Sequence, residues 1–138
     1  PGQLVLGGVD PDHYVGDFHF VSVSVPAYWA VRLDMVKLGG RIVTSSTAAA
    51  IVDSGTSLLV GPEQEVRVLA TMMGAMEVQG FYVVDCNQTV PSLVFTLGGK
   101  DYVLEKADLV VQETDGLCVL GFQGSPMGLK HMWILGDV

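Results

Sequence analysis

Short apolar runs separated by turn residues fill most of the chain. Phe18-His19-Phe20-Val21-Ser22-Val23-Ser24-Val25 alternates with period two as far as Pro26, and Val31-Arg32-Leu33-Asp34-Met35-Val36 alternates again before Gly39-Gly40. A period of two sends one set of side chains to a core face and the other to solvent, so both stretches predict half-buried strands. Leu4-Val5-Leu6 forms a shorter run ending at Gly7-Gly8, and further strands are predicted at Arg41–Thr44, Ala49–Val52, Phe81–Asp85, Leu93–Leu97, Tyr102–Leu104, Leu109–Gln112, Cys118–Phe122 and Trp133–Leu135. One segment has a different period. Across Glu63–Met73 the residues Val66, Leu69 and Met73 recur at helical spacing, with Pro62 at the start and Gly74 after the last turn, which predicts a helix whose methionines fill core space. With no internal repeat, low-complexity tract or linker, the pattern reads as one mainly β domain carrying one or more short helices.

Composition narrows the picture. The chain has 138 residues, 49% of them apolar and 16% charged, which is enough to bury a core and too apolar for a disordered segment. Its net charge of −8 leaves no basic stripe to displace phosphate counterions, so nucleic acid is not an expected partner. A protein poor in Lys and Arg also loses self-repulsion as pH falls, which suits an acidic compartment. No apolar run reaches the roughly 18 residues of a membrane span. The start at Pro1-Gly2 and the stop at Val138, directly after an apolar stretch, read as cut ends of a longer protein. Missing targeting signals therefore carry little weight.

Candidate metal chemistry is thin. His13, His19 and His131 have no ligand-like spacing, and Cys86 and Cys118 lie too far apart for a C-x-x-C pattern, so neither a metal nor a cofactor is expected. The two cysteines are compatible with buried thiols or with one disulfide. Beside them Asn87-Gln88-Thr89 is a glycosylation sequon, and together these features lean toward an oxidising lumen. The expected location is the secretory pathway, in a lysosome- or endosome-like acidic compartment or outside the cell.

The stretch AIVDSGTSLLVGP, residues 49–61, places Asp53 between two apolar runs and follows it with Ser54-Gly55-Thr56-Ser57. Apolar flanks draw a carboxylate toward the interior, where its charge is costly unless hydrogen bonds compensate. The hydroxyls of Ser54, Thr56 and Ser57 and a tight turn at Gly55 offer such compensation. A bare D-S-G is most simply a turn tip, so the decision rests on the rest of the chain.

There the residues resemble a known family, the pepsin-like aspartic proteases, and within it the cathepsin D group. Leu4-Val5-Leu6-Gly7-Gly8-Val9-Asp10 resembles the family's L-x-x-G-G-x-D entry, Tyr14-Val15-Gly16-Asp17 its Y-x-G segment, and Tyr28-Trp29 with Val31-Arg32-Leu33-Asp34 its Y-W strand. Ala50 to Leu58 is similar to the second of its two active-site loops, Gly61-Pro62 opens its short helix, Gly121-Phe122 precedes a substrate-facing loop, and Trp133-Ile134-Leu135-Gly136-Asp137-Val138 resembles the run that crosses behind the loop. The resemblance covers essentially the whole chain and implies the carboxyl-terminal lobe of a bilobal acid protease, a β-barrel-like lobe without the amino-terminal lobe or the final strands.

By that resemblance Asp53 is one member of a catalytic pair and holds the attacking water with its partner. Gly55 turns an N–H toward that carboxylate and a carbonyl toward the peptide. Thr56 donates to the outer carboxylate oxygen, Ser54 joins the grip between lobes, and Ser57 meets substrate backbone. Tyr28, Met127 and Ile134 match pocket-lining positions, and Cys86 with Cys118 matches a late disulfide. Asp137 matches an edge position rather than the missing partner. The implied partners are the amino-terminal lobe of the same protein, polypeptide substrates and pepstatin-type inhibitors. The chain departs from the pattern in lacking the small disulfide near Thr44-Ser45-Ser46-Thr47-Ala48 and in carrying Ser54 where Thr is commoner. Two other readings stand beside the protease: a protease-like binding protein without turnover, and a homodimeric protease of the retroviral sort. On the first reading, the isolated chain is expected to be inactive.

Overall fold

The computed structural model describes residues 3–44, 49–125 and 132–138. In chain order the strands are β1 (Val23–Val25), β2 (Ala30–Val31), β3 (Leu33–Leu38), β4 (Arg41–Thr44), β5 (Ala49–Val52) and β6 (Leu59–Gly61), then β7 (Met76–Val78), β8 (Phe81–Asp85), β9 (Leu93–Leu97) and β10 (Lys100–Leu104), and finally β11 (Val110–Thr114), β12 (Leu117–Leu120), β13 (Phe122–Gly124) and β14 (Met132–Leu135). Helix α1 spans Glu63–Met73 and α2 spans Lys106–Leu109. A 3-10 turn occupies Pro11–His13. The strands form one six-stranded sheet, β1-β2-β5-β14-β6-β13, and two four-stranded sheets, β10-β9-β3-β4 and β11-β12-β8-β7.

Local chemistry sets the hairpins. Four antiparallel pairs close with two residues, at Gly39-Gly40, Gln79-Gly80, Gly98-Gly99 and Asp115-Gly116, and all eight have positive φ. A two-residue hairpin matches the right-handed twist of its strands when both turn residues are left-handed, which is why glycine recurs here. Helix α1 begins after Pro62 and ends at Gly74, whose φ of 68° lets its N–H and that of Ala75 reach carbonyls of the last turn. Its inner face, Val66, Leu69, Ala70 and Met73, is buried in the main core with Leu33, Val36, Leu93, Phe95, Leu120, Phe122 and Trp133. Trp133 ties β14 to the helix: its Nε1–H donates to Glu65 Oε2 at 2.8 Å, and its ring meets Phe95 edge-on at 5.2 Å between centroids. A Cβ on Gly61 would lie 2.5 Å from that indole, so the absence of a side chain lets β6 pass it.

Cys86 and Cys118 form a disulfide that joins the turn after β8 to β12. The Lys106 ammonium donates to the carbonyls of Cys86 and Gln88 and holds the same turn against α2.

The mainly β architecture with short helices agrees with the sequence pattern, and Glu63–Met73 is helical over the whole expected span. Other elements differ. Of the alternating run 18–25 only Val23–Val25 joins a ladder, and residues 11–20 are exposed. Alternation specifies a buried face only where the core covers it, and here His19 and Val21 only touch the β9–β10 hairpin at Tyr102 and Gly98 while Phe18 and Phe20 stay exposed. Leu4-Val5-Leu6 likewise forms no strand, with Leu6 85% exposed. The run 118–122 is broken at Gly121, whose N–H goes to the Leu109 carbonyl at 2.7 Å and whose carbonyl accepts from Leu59 N–H at 2.9 Å. That switch places β12 in one sheet and β13 in another. Strands β6 and β7 and helix α2, which takes up Leu109, carry too few residues to show a period of their own.

Candidate active site

Strand order creates the site. β14 pairs in parallel with β5, Met132 opposite Ala49 through Leu135 opposite Val52, and antiparallel with β6 at Ile134 opposite Val60. It therefore lies between the two strands that the 53–58 loop connects, and the loop must cross the end of β14. Two backbone hydrogen bonds lace it there: Asp53 N–H to the Leu135 carbonyl and Asp137 N–H to the Thr56 carbonyl, both 2.9 Å. Gly136 runs directly beneath. A Cβ at that position would sit 2.2 Å from the Thr56 carbonyl oxygen and 2.6 Å from that of Leu58, so only glycine fits without moving the loop.

Within the loop the chain turns on Asp53. Its carboxylate accepts from Gly55 N–H at Oδ1, 2.9 Å, and from the Thr56 hydroxyl at Oδ2, 2.7 Å, while its carbonyl accepts from Thr56 N–H at 3.2 Å. The Thr56 hydroxyl first and the Gly55 N–H second hold the Asp53 carboxyl below the usual aspartate value, because both donate to the charged form. The expected retreat of this acid into the interior is not observed. Asp53 is partly exposed, as are its neighbours Val52 and Ser54, and the flanking apolar residues bury Ala50 and Leu59 instead. β5 runs from buried Ala49 and Ala50 out to exposed Val52, β6 is buried throughout, and the loop between them takes the surface.

Asp53 lines a cleft of about 570 Å³ together with Val23, Pro26, Ala27, Tyr28, Trp29, Ile51 and Val52. Val52 N–H donates to the Trp29 carbonyl at 3.0 Å and Ser24 Oγ to the Ala30 carbonyl at 3.0 Å, fixing the β1–β2 turn beside the loop.

Of the residues singled out from sequence, Asp53, Gly55 and Thr56 form one hydrogen-bonded unit, Tyr28 shares their cleft, and Ser54 and Ser57 are exposed on the same loop. Ile134 lies one strand away, opposite Ile51 and Val60, and is half-buried. Met127 lies outside the described residues, as does His131. Asp137 contributes a backbone N–H beneath the loop. Trp29, Pro26 and Gly136 belong to the site's frame and were not picked out as site residues from sequence. Their signal is topological, since residues 26–29 and 136 meet residues 53–58 only when the sheet is built.

Asn87 is exposed in the turn after β8. Among the described residues one grouping has metal-ligand spacing, Cys86, Glu113 and Cys118, but both sulfurs are committed to the disulfide and offer no thiolate. A single ionised carboxylate with depressed pKa can accept a proton from water. It cannot at the same time donate one.

The family model described as eukaryotic aspartyl protease matches residues 1–138. The chain is 41% identical to cathepsin D of Clupea harengus, 42% to napsin-A of Mus musculus and 38% to cathepsin E-B of Xenopus laevis, each comparison covering 99% of this chain. It spans 37%, 35% and 36% of those three relatives, about a third of their length.

Proposed function

The chain belongs to the eukaryotic aspartyl protease family, and from that premise we propose that it is the carboxyl-terminal half of an acid endopeptidase and contributes one of two catalytic aspartates. The observation that carries this reading is the Asp53 carboxylate, gripped by Gly55 N–H and Thr56 Oγ and lining a mainly apolar cleft. Hydrolysis of an unactivated amide by carboxylates needs two of them. An ionised one takes a proton from water as the water oxygen adds to the carbonyl carbon, and a protonated one polarises the carbonyl oxygen. When the tetrahedral adduct collapses, the amine leaves with a proton from the pair. Two nearby carboxyls cannot both ionise cheaply, so they share a proton and titrate as a unit.

In this scheme Asp53 holds the water with an aspartate from the amino-terminal lobe. Gly55 and Ser57 contact substrate backbone, Ser54 joins the grip between lobes, and Tyr28, Met127 and Ile134 line side-chain pockets. Trp29 extends the apolar wall beside Tyr28. Polypeptides are the substrates, pepstatin-type inhibitors occupy the paired site, and the working compartment is acidic and reached through the secretory pathway. The Cys86–Cys118 disulfide is in keeping with that route.

The test compares the isolated chain with the parent polypeptide on an unfolded protein substrate at acidic pH. The isolated chain is expected to be inactive and the parent active, with Asp53→Asn in the parent costing about 10²–10⁴-fold in rate. Turnover by the isolated chain that survives Asp53→Asn would refute the reading. An intact parent that binds peptide without cleaving it would replace the enzyme with a protease-like binding protein.

A further inference from the structure

We propose that Asn87 is a site of N-linked glycosylation, carried on a rigid turn at the far end of α1 from the Asp53 loop. Asn87 is the only asparagine among the 138 residues, and it heads the sequon Asn87-Gln88-Thr89. The structure separates the parts of that sequon by role. Asn87 and Thr89 are exposed, whereas Gln88 turns partly inward. Gln88 Nε2–H donates to the Met73 carbonyl at 2.6 Å and so satisfies one carbonyl at the end of α1. Asn87 N–H is held by Asp85 Oδ1 at 2.7 Å and Gln88 N–H by the Asp85 carbonyl at 2.9 Å, while Lys106 Nζ draws in the carbonyls of Cys86 and Gln88. Every one of these bonds uses backbone or the Gln88 side chain. The Asn87 side-chain amide is left on the outside of a turn that is fixed from within.

A sequon matters only in a lumen that holds the transfer machinery, and the disulfide on the residue just before Asn87 marks an oxidising compartment of that kind. In the transfer, Asn87 Nδ2 forms a bond to the anomeric carbon of a lipid-pyrophosphate-linked oligosaccharide. The bond from that carbon to the pyrophosphate oxygen breaks, the lipid pyrophosphate departs with the electron pair, and Nδ2 loses one proton. No redox partner is required.

The attachment point is set apart from the Asp53 loop by the length of α1. The Asp53 loop leads through β6 directly into the first turn of α1, and Gln88 docks on its last turn. Eleven residues at 1.5 Å per residue place those ends roughly 16 Å apart.

The test uses the parent polypeptide secreted from eukaryotic cells. Arg67 and Lys100 have no Lys or Arg between them, so trypsin releases residues 68–100 as one peptide. After the Cys86–Cys118 bond is verified and reduced, that peptide is expected to carry a hexose-rich mass that an amidase-type glycosidase removes in ¹⁸O water, leaving labelled Asp at position 87. Thr89→Ser should retain the modification, and Thr89→Ala and Asn87→Gln should lose it. An unmodified peptide from secreted, disulfide-bonded wild type would overturn the proposal, as would a glycan that persists in Thr89→Ala. Peptidase activity plays no part in the readout, so this inference and the enzymatic one stand or fall separately.

Discussion

Asp53 owes its acidity to two donors within three residues of itself, Thr56 Oγ and Gly55 N–H. Replacing the hydroxyl by a methyl group of similar shape leaves Oδ2 without its donor. Thr56→Val is therefore expected to raise the Asp53 pKa toward the ordinary aspartate value, read from the pH titration of its carboxyl carbon by NMR. Asp101 shows the same logic away from the site: the Lys37 ammonium and then the Thr96 hydroxyl, both at 2.6 Å, hold its carboxyl below the usual range. A depressed folded-state pKa adds stability that is present above the unfolded value of about 4 and lost as pH falls through the folded value. Asp101→Asn should accordingly flatten the acid side of the stability–pH curve, and denaturant midpoints measured from neutral pH downward check it. The two residues were not equally legible. The D-S-G-T run sets both donors beside Asp53 in the sequence, whereas Asp101 meets Lys37 only because β10 and β3 flank β9.

At the level of elements, the site depends on β14 passing between β5 and β6. The tightest place for an added side chain is Gly136, where a Cβ would meet the carbonyls of Thr56 and Leu58. A backbone oxygen cannot rotate aside as a side chain can, so Gly136→Ala is expected to push the loop off β14. The cost is about 1–3 kcal/mol in urea unfolding, together with loss of the Asp53 N–H bond to Leu135, which amide exchange at Asp53 would report. The helix α1 was legible from its period and its Pro and Gly ends. β6, with three residues, was not, and neither was the break at Gly121, since a continuous apolar run looks the same whether or not it changes sheets.

For the whole molecule, three sheets among the described residues are joined through one core, and a single disulfide ties the end of β8 to its neighbour β12 within one of them. The Cys86–Cys118 bond closes a loop with a sequence separation of 32, for which loop-closure entropy gives about 3–4 kcal/mol. Reduction, or Cys118→Ser, should lower the unfolding free energy by roughly that amount, measured by urea titration with and without reductant. The chain also exposes large apolar side chains: Phe20 is 88% exposed and Trp29 75%. Trp29 lines the cleft beside Asp53, and under the proposed function the amino-terminal lobe faces it there.

By itself the sequence determined what is local or short-range. That includes the mainly β class, α1 with its Pro and Gly ends, the turn glycines of several hairpins, and the Asp53-Ser54-Gly55-Thr56 unit whose hydrogen bonds span three residues. Such features follow from backbone sterics and from side chains meeting their near neighbours, so they are written in the order of residues. Tertiary structure alone decided that Pro26 and Trp29 wall the cleft beside Asp53, that Gly136 passes directly under the Thr56 and Leu58 carbonyls, and that Asp53 faces outward. Those outcomes depend on which strands share hydrogen bonds across long separations, and burial is settled only when the sheets have been stacked on one another.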